Sequence, residues 1–127
     1  MISLVAAAVM AVQLDSGIRE DFLELLASAR YGWSDHESAA FVVMTPDGIR
    51  LVPWPRSNEP HGARWKGTFP RGTIAIAHTH PNRDTHPSRI DRRTARRLRL
   101  PVYVITHSRI TVTDGGGVYT VARGRWH

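Results

Sequence analysis

The residues best suited to chemistry lie in one stretch, His78-Thr79-His80-Pro81-Asn82-Arg83-Asp84-Thr85-His86-Pro87-Ser88-Arg89-Ile90-Asp91. His78 and His80 close a run, Thr73-Ile74-Ala75-Ile76-Ala77, that reads as a strand over residues 73–80. Side chains two apart on a strand share a face. The two imidazoles therefore continue the row of Ile74 and Ile76, and side by side they can hold one metal ion. If both were merely protonated they would repel each other. Asp91 falls in the first turn of a helix expected over residues 88–100. At about 100° per residue, Ile90, Asp91, Thr94, Ala95 and Leu98 span an arc of about 140°. Arg89, Arg92, Arg93, Arg96, Arg97 and Arg99 occupy the rest. Asp91 is thus turned inward, and a lone buried carboxylate costs several kcal/mol unless it is paired or bound to metal. Two His and one Asp make an N/N/O set. A hydrolytic zinc site needs three protein ligands and one open position for water.

Each piece also has a plainer reading. Ser88-x-x-Asp91 is an N-cap with an acid at the third helical position. A His-x-His pair on a strand is often polar surface. Capping and metal binding are compatible if the cap uses Ser88 and the metal uses Asp91. What separates this stretch from its parts is their conjunction within fourteen residues.

His78-x-His80, seven residues, then Ser88-x-x-Asp91 resembles the signature of the JAMM (MPN+) metalloproteases of the JAB/MPN family, in residue type and in spacing. Pro81 after the second His and Pro87 before Ser88 are also typical of it. The resemblance covers roughly residues 12–113. It implies an α/β fold, a mixed β-sheet flanked by helices, similar to the cytidine deaminases. It implies one zinc per chain, held by His78, His80 and Asp91. The implied reaction is hydrolysis of amide bonds, often isopeptide bonds of ubiquitin-like tails. It also implies a catalytic glutamate at the start of the strand after the first helix, where Glu37 precedes Ser38-Ala39-Ala40-Phe41-Val42. Glu20 and Glu24 lie on an expected helix and Glu59 in an expected loop, which suit that role less well. In this scheme Glu37 takes a proton from the activated water and hands it to the leaving amine. The Ser88 hydroxyl donates to the oxyanion. No long insertion of the kind that shapes ubiquitin-chain recognition in large eukaryotic members is visible, so this is a minimal domain. The competing reading is a catalytically silent MPN-like binding module that uses the fold as a scaffold.

The elements that must position these residues follow from patterning. A chain of 127 residues fits one domain. Hydrophobic residues at 42% and charged residues at 22% are ordinary globular proportions, which excludes disorder or coiled coil for the whole chain. The absence of Cys excludes disulfide scaffolds, iron–sulfur clusters and thiol catalysis. The net charge is +6, from 16 Arg and 1 Lys against 11 acids. A basic balance is compatible with nucleic acid. No motif interleaving aromatics with Arg supports that partner, however. The partner that the JAMM resemblance implies is a peptide or ubiquitin-like protein substrate. The arginine face of the 88–100 helix reads as solvated, or as a dock for an acidic partner.

Residues 1–14 form an apolar segment too short to span a membrane. It resembles the apolar part of a secretory signal, with Ala6-Ala7-Ala8 suited to cleavage but no Lys or Arg before the run. The other reading is a first strand or helix docking on the core, with the single JAB/MPN-like domain covering residues 15–127. A helix is expected over 15–30, facing the core with Ile18, Phe22, Leu25, Leu26 and Ala29 and capped by Asp15 or Ser16. Strands are expected over 38–44 and 49–52, joined by Thr45-Pro46-Asp47-Gly48, and over 102–106, 110–113 and 118–122. The stretch 53–71 reads as a long loop in which Trp54 and Trp65 are hydrophobic anchors or a substrate-facing wall. His36, His61, His86, His107 and His127 are expected at the surface, with His86 the one placed to stand behind a metal ligand.

Overall fold

The computed structural model describes residues 3–33, 36–55, 65 and 67–127. Among them the chain forms α1 (Leu4–Leu14), α2 (Ile18–Ser28), β1 (Ala39–Thr45), β2 (Gly48–Pro53), β3 (Thr73–Thr79), α3 (Arg89–Leu98), β4 (Val102–Ile105), β5 (Arg109–Thr113) and β6 (Val118–Arg123). The strands make one mixed sheet in the order β2-β1-β3-β4-β5-β6. Every neighbouring pair is antiparallel except β3 and β4. Parallel neighbours need a crossover, and α3 supplies it.

Residues 4–14 are a helix and not a strand. The run holds Ala6, Ala7, Ala8 and Ala11, alanine being the best helix former, and the Ser3 hydroxyl caps it by accepting from Ala6 N–H at 3.0 Å. Val12 is buried among the core residues, while Leu4 and Met10 are exposed. No described helix is long and apolar enough to cross a membrane. α2 buries the expected face, Ile18, Phe22, Leu25 and Leu26. It starts later than expected, because Asp15 does not cap it. The Asp15 carboxylate accepts from Gly17 N–H at 3.0 Å and from Ile49 N–H at 3.3 Å, which ties the helix entry to β2.

The sheet is covered on both faces, so β1 reads as an unbroken apolar run, Ala39 to Val43 all buried. One core holds Phe22, Leu26, Val42, Tyr103, Ile105, Ile110 and Trp126. The second holds Phe41, Val43, Ile76, Ala95 and Val102, with Leu98, Trp54 and Trp65 packed against it. The Phe41 ring stands 5.3 Å from that of Trp54 and 4.8 Å from that of Trp65, so both tryptophans pack on the second core. Most of the expected 53–71 loop, with Glu59 and His61, lies outside the described residues. Ile74 does not continue the row of Ile76 and His78. Val42 pairs with Ala75 and Val43 with Thr73, which leaves Ile74 as the extra residue of a bulge, packed against the first core.

Candidate metal centre

The ends of β1 and β3 bring the first two groups together. Ala39 lies opposite His78, and His78 in turn opposite Val104. Beyond the last register pair, Thr79 N–H donates to Ser38 O at 2.9 Å and Ser38 N–H donates to Thr79 Oγ1 at 3.0 Å. This clip places Glu37 beside His78, its Oε2 3.7 Å from His78 Nδ1. His80 sits one residue past β3 and is held by its own N–H, which donates to Ile105 O at 3.2 Å. The two imidazole centroids are 4.7 Å apart, as two residues sharing a strand face should be.

α3 brings the third group. Ser88 is its N-cap, and the capping box is complete. Asp91 N–H donates to Ser88 Oγ at 3.1 Å, and Ser88 N–H donates to Asp91 Oδ2 at 2.8 Å. The cap therefore uses Asp91 as well as Ser88, unlike the division of labour expected from the sequence. A carboxylate oxygen has two lone pairs, so Oδ2 keeps one and Oδ1 is free of the cap. Asp91 is buried, as its place on the helix face requires. Ile90, expected on the same face, is 72% exposed and stands at the lip of the site. It is in the first turn of α3, where the helix overhangs an open cavity instead of the sheet.

Asp91 faces both imidazoles. Its Oδ1 is 2.7 Å from His78 Nε2 and its Oδ2 is 3.3 Å from His80 Nε2. Neither contact is an ordinary neutral hydrogen bond. His78 Nε2 is buried and lacks the alignment a hydrogen bond needs, despite the short distance. His80 Nδ1 lies 3.2 Å from Asp84 O, and a carbonyl can only accept, so the neutral ring carries its proton there. The lone pair on His80 Nε2 then meets a carboxylate oxygen, an arrangement that repels unless a proton or a cation lies between. Two ligands on a tetrahedral zinc stand roughly 3.3 Å apart, given metal–ligand distances of about 2.0–2.1 Å. The His80–Asp91 separation meets this value, and the His78–Asp91 contact would open by about half an ångström.

The electrostatics agree. Burial works to lower the His78 pKa, but the Asp91 and Glu37 carboxylates outweigh it and hold it up at about 10. Burial likewise works to raise Asp91, yet His78, His80 and the Ser88 N–H hold it well below the usual carboxylate range. The field that keeps a proton on His78 is the field that would keep a metal ion, and the two compete. Ligand atoms of Glu37, His78 and His80 all lie within 4.8 Å of one another, a grouping that can hold a metal ion. Glu37, expected only as a base, is thus close enough to join the ligands.

A cavity of about 370 Å³ opens here. It is lined by the polar groups Glu37, His78, His80, Asp84, Ser88 and Asp91 and by Ala39, Trp54, Ile76, Ile90, Thr94 and Val102. Asp84 was not among the residues singled out from the sequence, and its position four after His80 in a loop gives little signal. His86 does not stand behind a ligand. It is exposed, with Nδ1 3.1 Å from Thr85 Oγ1 and Nε2 3.4 Å from Arg109. His36, His107 and His127 are exposed as expected.

A family model described as prokaryotic homologs of the JAB domain matches residues 19–117. The chain belongs to this family. No curated protein and no solved structure matches it. The mixed six-stranded sheet with its crossover helix is the architecture expected of a JAB domain, and the matched segment contains Glu37, His78, His80, Asp84, Ser88 and Asp91.

Proposed function

We propose that this JAB-domain chain is a zinc-dependent hydrolase that cleaves a peptide or isopeptide bond. The observation that supports it is the buried Asp91 carboxylate set between two imidazole nitrogens, 2.7 Å from His78 Nε2 and 3.3 Å from His80 Nε2. The donor set is N/N/O with no thiolate, which suits zinc with one position left for water. His78, His80 and Asp91 would hold the ion, which supplies a water whose pKa is lowered toward neutrality.

The remaining steps belong to the protein. Glu37, partly buried at the mouth of β1, accepts a proton at its carboxylate and returns it to the leaving amine. Ser88 Oγ already accepts from Asp91 N–H, so its own hydrogen is free to be donated to the carbonyl oxygen on which charge develops. The Asp84 carbonyl fixes the His80 tautomer with Nε2 toward Asp91. The substrate is a peptide or a ubiquitin-like protein tail that reaches the cavity from the Ile90 side.

Metal content by mass spectrometry, on protein purified without added metal, tests the reading. About one zinc per chain, lost in His80→Ala, is expected. Glu37→Gln is expected to keep the metal and lose hydrolysis of any substrate found. Absence of zinc in both proteins, even after incubation with it, would overturn the proposal and leave an MPN-like binding module.

A further inference from the structure

The cavity at the metal centre is divided chemically. Its titratable groups are Glu37, His78, His80, Asp84 and Asp91, and the rest of its lining apart from Ser88 is Ala39, Trp54, Ile76, Ile90, Thr94 and Val102, with no charged residue among them. Ala39 pairs with His78 and Ile90 precedes Asp91, whereas Ile76 pairs with Val102 two residues up the strand, beside Phe41 and the Trp54 ring that packs on it. Two of these walls lie one structural step from the candidate ligands. Ile76 precedes His78 by two residues on the same strand face, about 6.6 Å along the strand. Thr94 follows Asp91 by three residues, about 4.5 Å along the helix axis. Ile76 and Thr94, with Val102 and Trp54, therefore make an apolar arm of the cavity that adjoins the place where the reacting carbonyl would sit. One residue of extended peptide advances about 3.3–3.6 Å. A side chain on the residue flanking the scissile bond reaches into the arm, and more distant residues do not.

The mouth carries the same signature. Ile90 is 72% exposed at the start of a helix whose other outward residues are arginines. Its exposed apolar surface adjoins the path of whatever enters the cavity. A glycine beside the scissile bond would leave the arm filled with water, gaining nothing from its walls.

We infer that the site selects a bulky apolar residue, of the leucine or phenylalanine kind, flanking the bond it cuts. The inference rests on the hydrolase reading for which bond that is, but the arm itself is a property of the apolar walls. It is thus distinct from recognition of a tail ending in glycines.

The test is equilibrium binding, by calorimetry, of acetylated peptide amides Ala-Ala-X-Ala-Ala with X as Gly, Leu, Phe, Lys or Glu. The proteins are metal-free wild type and the zinc-loaded Glu37→Gln variant. Leu and Phe peptides are expected to bind roughly ten-fold or more tighter than the others in both forms, from burial of one side chain. Thr94→Leu narrows the arm from a half-buried helix position and is expected to abolish the preference for Phe. Ile90→Ser, at an exposed position, is expected to weaken the Leu and Phe peptides by roughly three-fold and leave Gly unchanged. Equal affinities across the series, or no binding by any peptide, would overturn the inference. Apolar preference without hydrolysis by zinc-loaded wild type would keep the arm and reject the hydrolase. Hydrolysis without apolar preference would do the reverse.

Discussion

Asp91→Asn is the substitution that isolates the charge at the centre of this site. Asn keeps the volume and an oxygen for the Ser88 N–H, so the cap is largely preserved. What it removes is the negative charge 2.7 Å from His78 Nε2. In the metal-free protein that charge, with Glu37, holds the His78 pKa up at about 10 against the opposing effect of burial. An unfolded histidine titrates at about 6.5. A group whose folded pKa is raised contributes stability that is fully present below the unfolded value and is lost as pH rises through the folded one. Between pH 6.5 and 9 the slope is about 1.4 kcal/mol per pH unit for one proton, or about 3 kcal/mol in all. Asp91 has the opposite sign. Its depressed pKa contributes stability above the ordinary carboxylate value that is lost as pH falls. Urea denaturation of chelator-treated protein at pH 6, 7.5 and 9 reads the effect. Wild type is expected to lose stability steadily across that range. Asp91→Asn is expected to be less stable at pH 6 and nearly flat above it. A flat wild-type profile, or a variant with the wild-type slope, would refute the ion-pair account of the site.

Adding zinc to the wild-type protein at pH 9 is expected to restore what the lost proton took away. Binding to the folded state at a hundred times the dissociation constant is worth about 2.7 kcal/mol, and the same titration should leave His80→Ala unmoved. Ser88→Ala removes the acceptor for Asp91 N–H, and a drop in stability of about 1 kcal/mol should appear in thermal melts. With a substrate in hand, the same variant is expected to lower kcat by roughly a hundred-fold or more through loss of the oxyanion donor. Gly32→Ala should be costly for a different reason. Gly32 has φ +80°, and a Cβ there would collide with the Asn82 side chain, which bonds Tyr31 O through Nδ2 and His107 N–H through Oδ1. A destabilisation of more than about 1 kcal/mol is expected from the strained backbone alone, and an unchanged urea midpoint would contradict this account.

The local features of this protein could be read from its residues in order. The run Thr73-Ile74-Ala75-Ile76-Ala77 set a strand that carries His78 near its end and His80 one residue beyond, with the two rings 4.7 Å apart. The spacing of Ile18, Phe22, Leu25 and Leu26 set the buried face of α2. Ser88 and Asp91 set a helix start. Each of these depends on dihedral preferences and side-chain periodicity within a few residues, so neighbours in sequence suffice. The family signature is of the same kind, since all its residues after Glu37 fall within one strand, one loop and one helical turn.

What the order of residues left open was set by pairings between distant segments. Glu37 reaches His78 through a register between β1 and β3, clipped by Ser38 and Thr79 from 41 residues apart. A shift of one residue would have turned it to the other face. The bulge at Ile74, the exposure of Ile90 and the reach of Asp84 to His80 likewise depend on what packs opposite, not on the residues beside them. Residues 4–14 were equally apolar as strand or helix, and docking of Val12 among the core residues accompanies the helical form. The cavity that gathers charged and apolar residues at one place exists only once β1, β3, β4 and α3 are brought together. Periodicity says which way a side chain points from its own element, and only packing says what it points at.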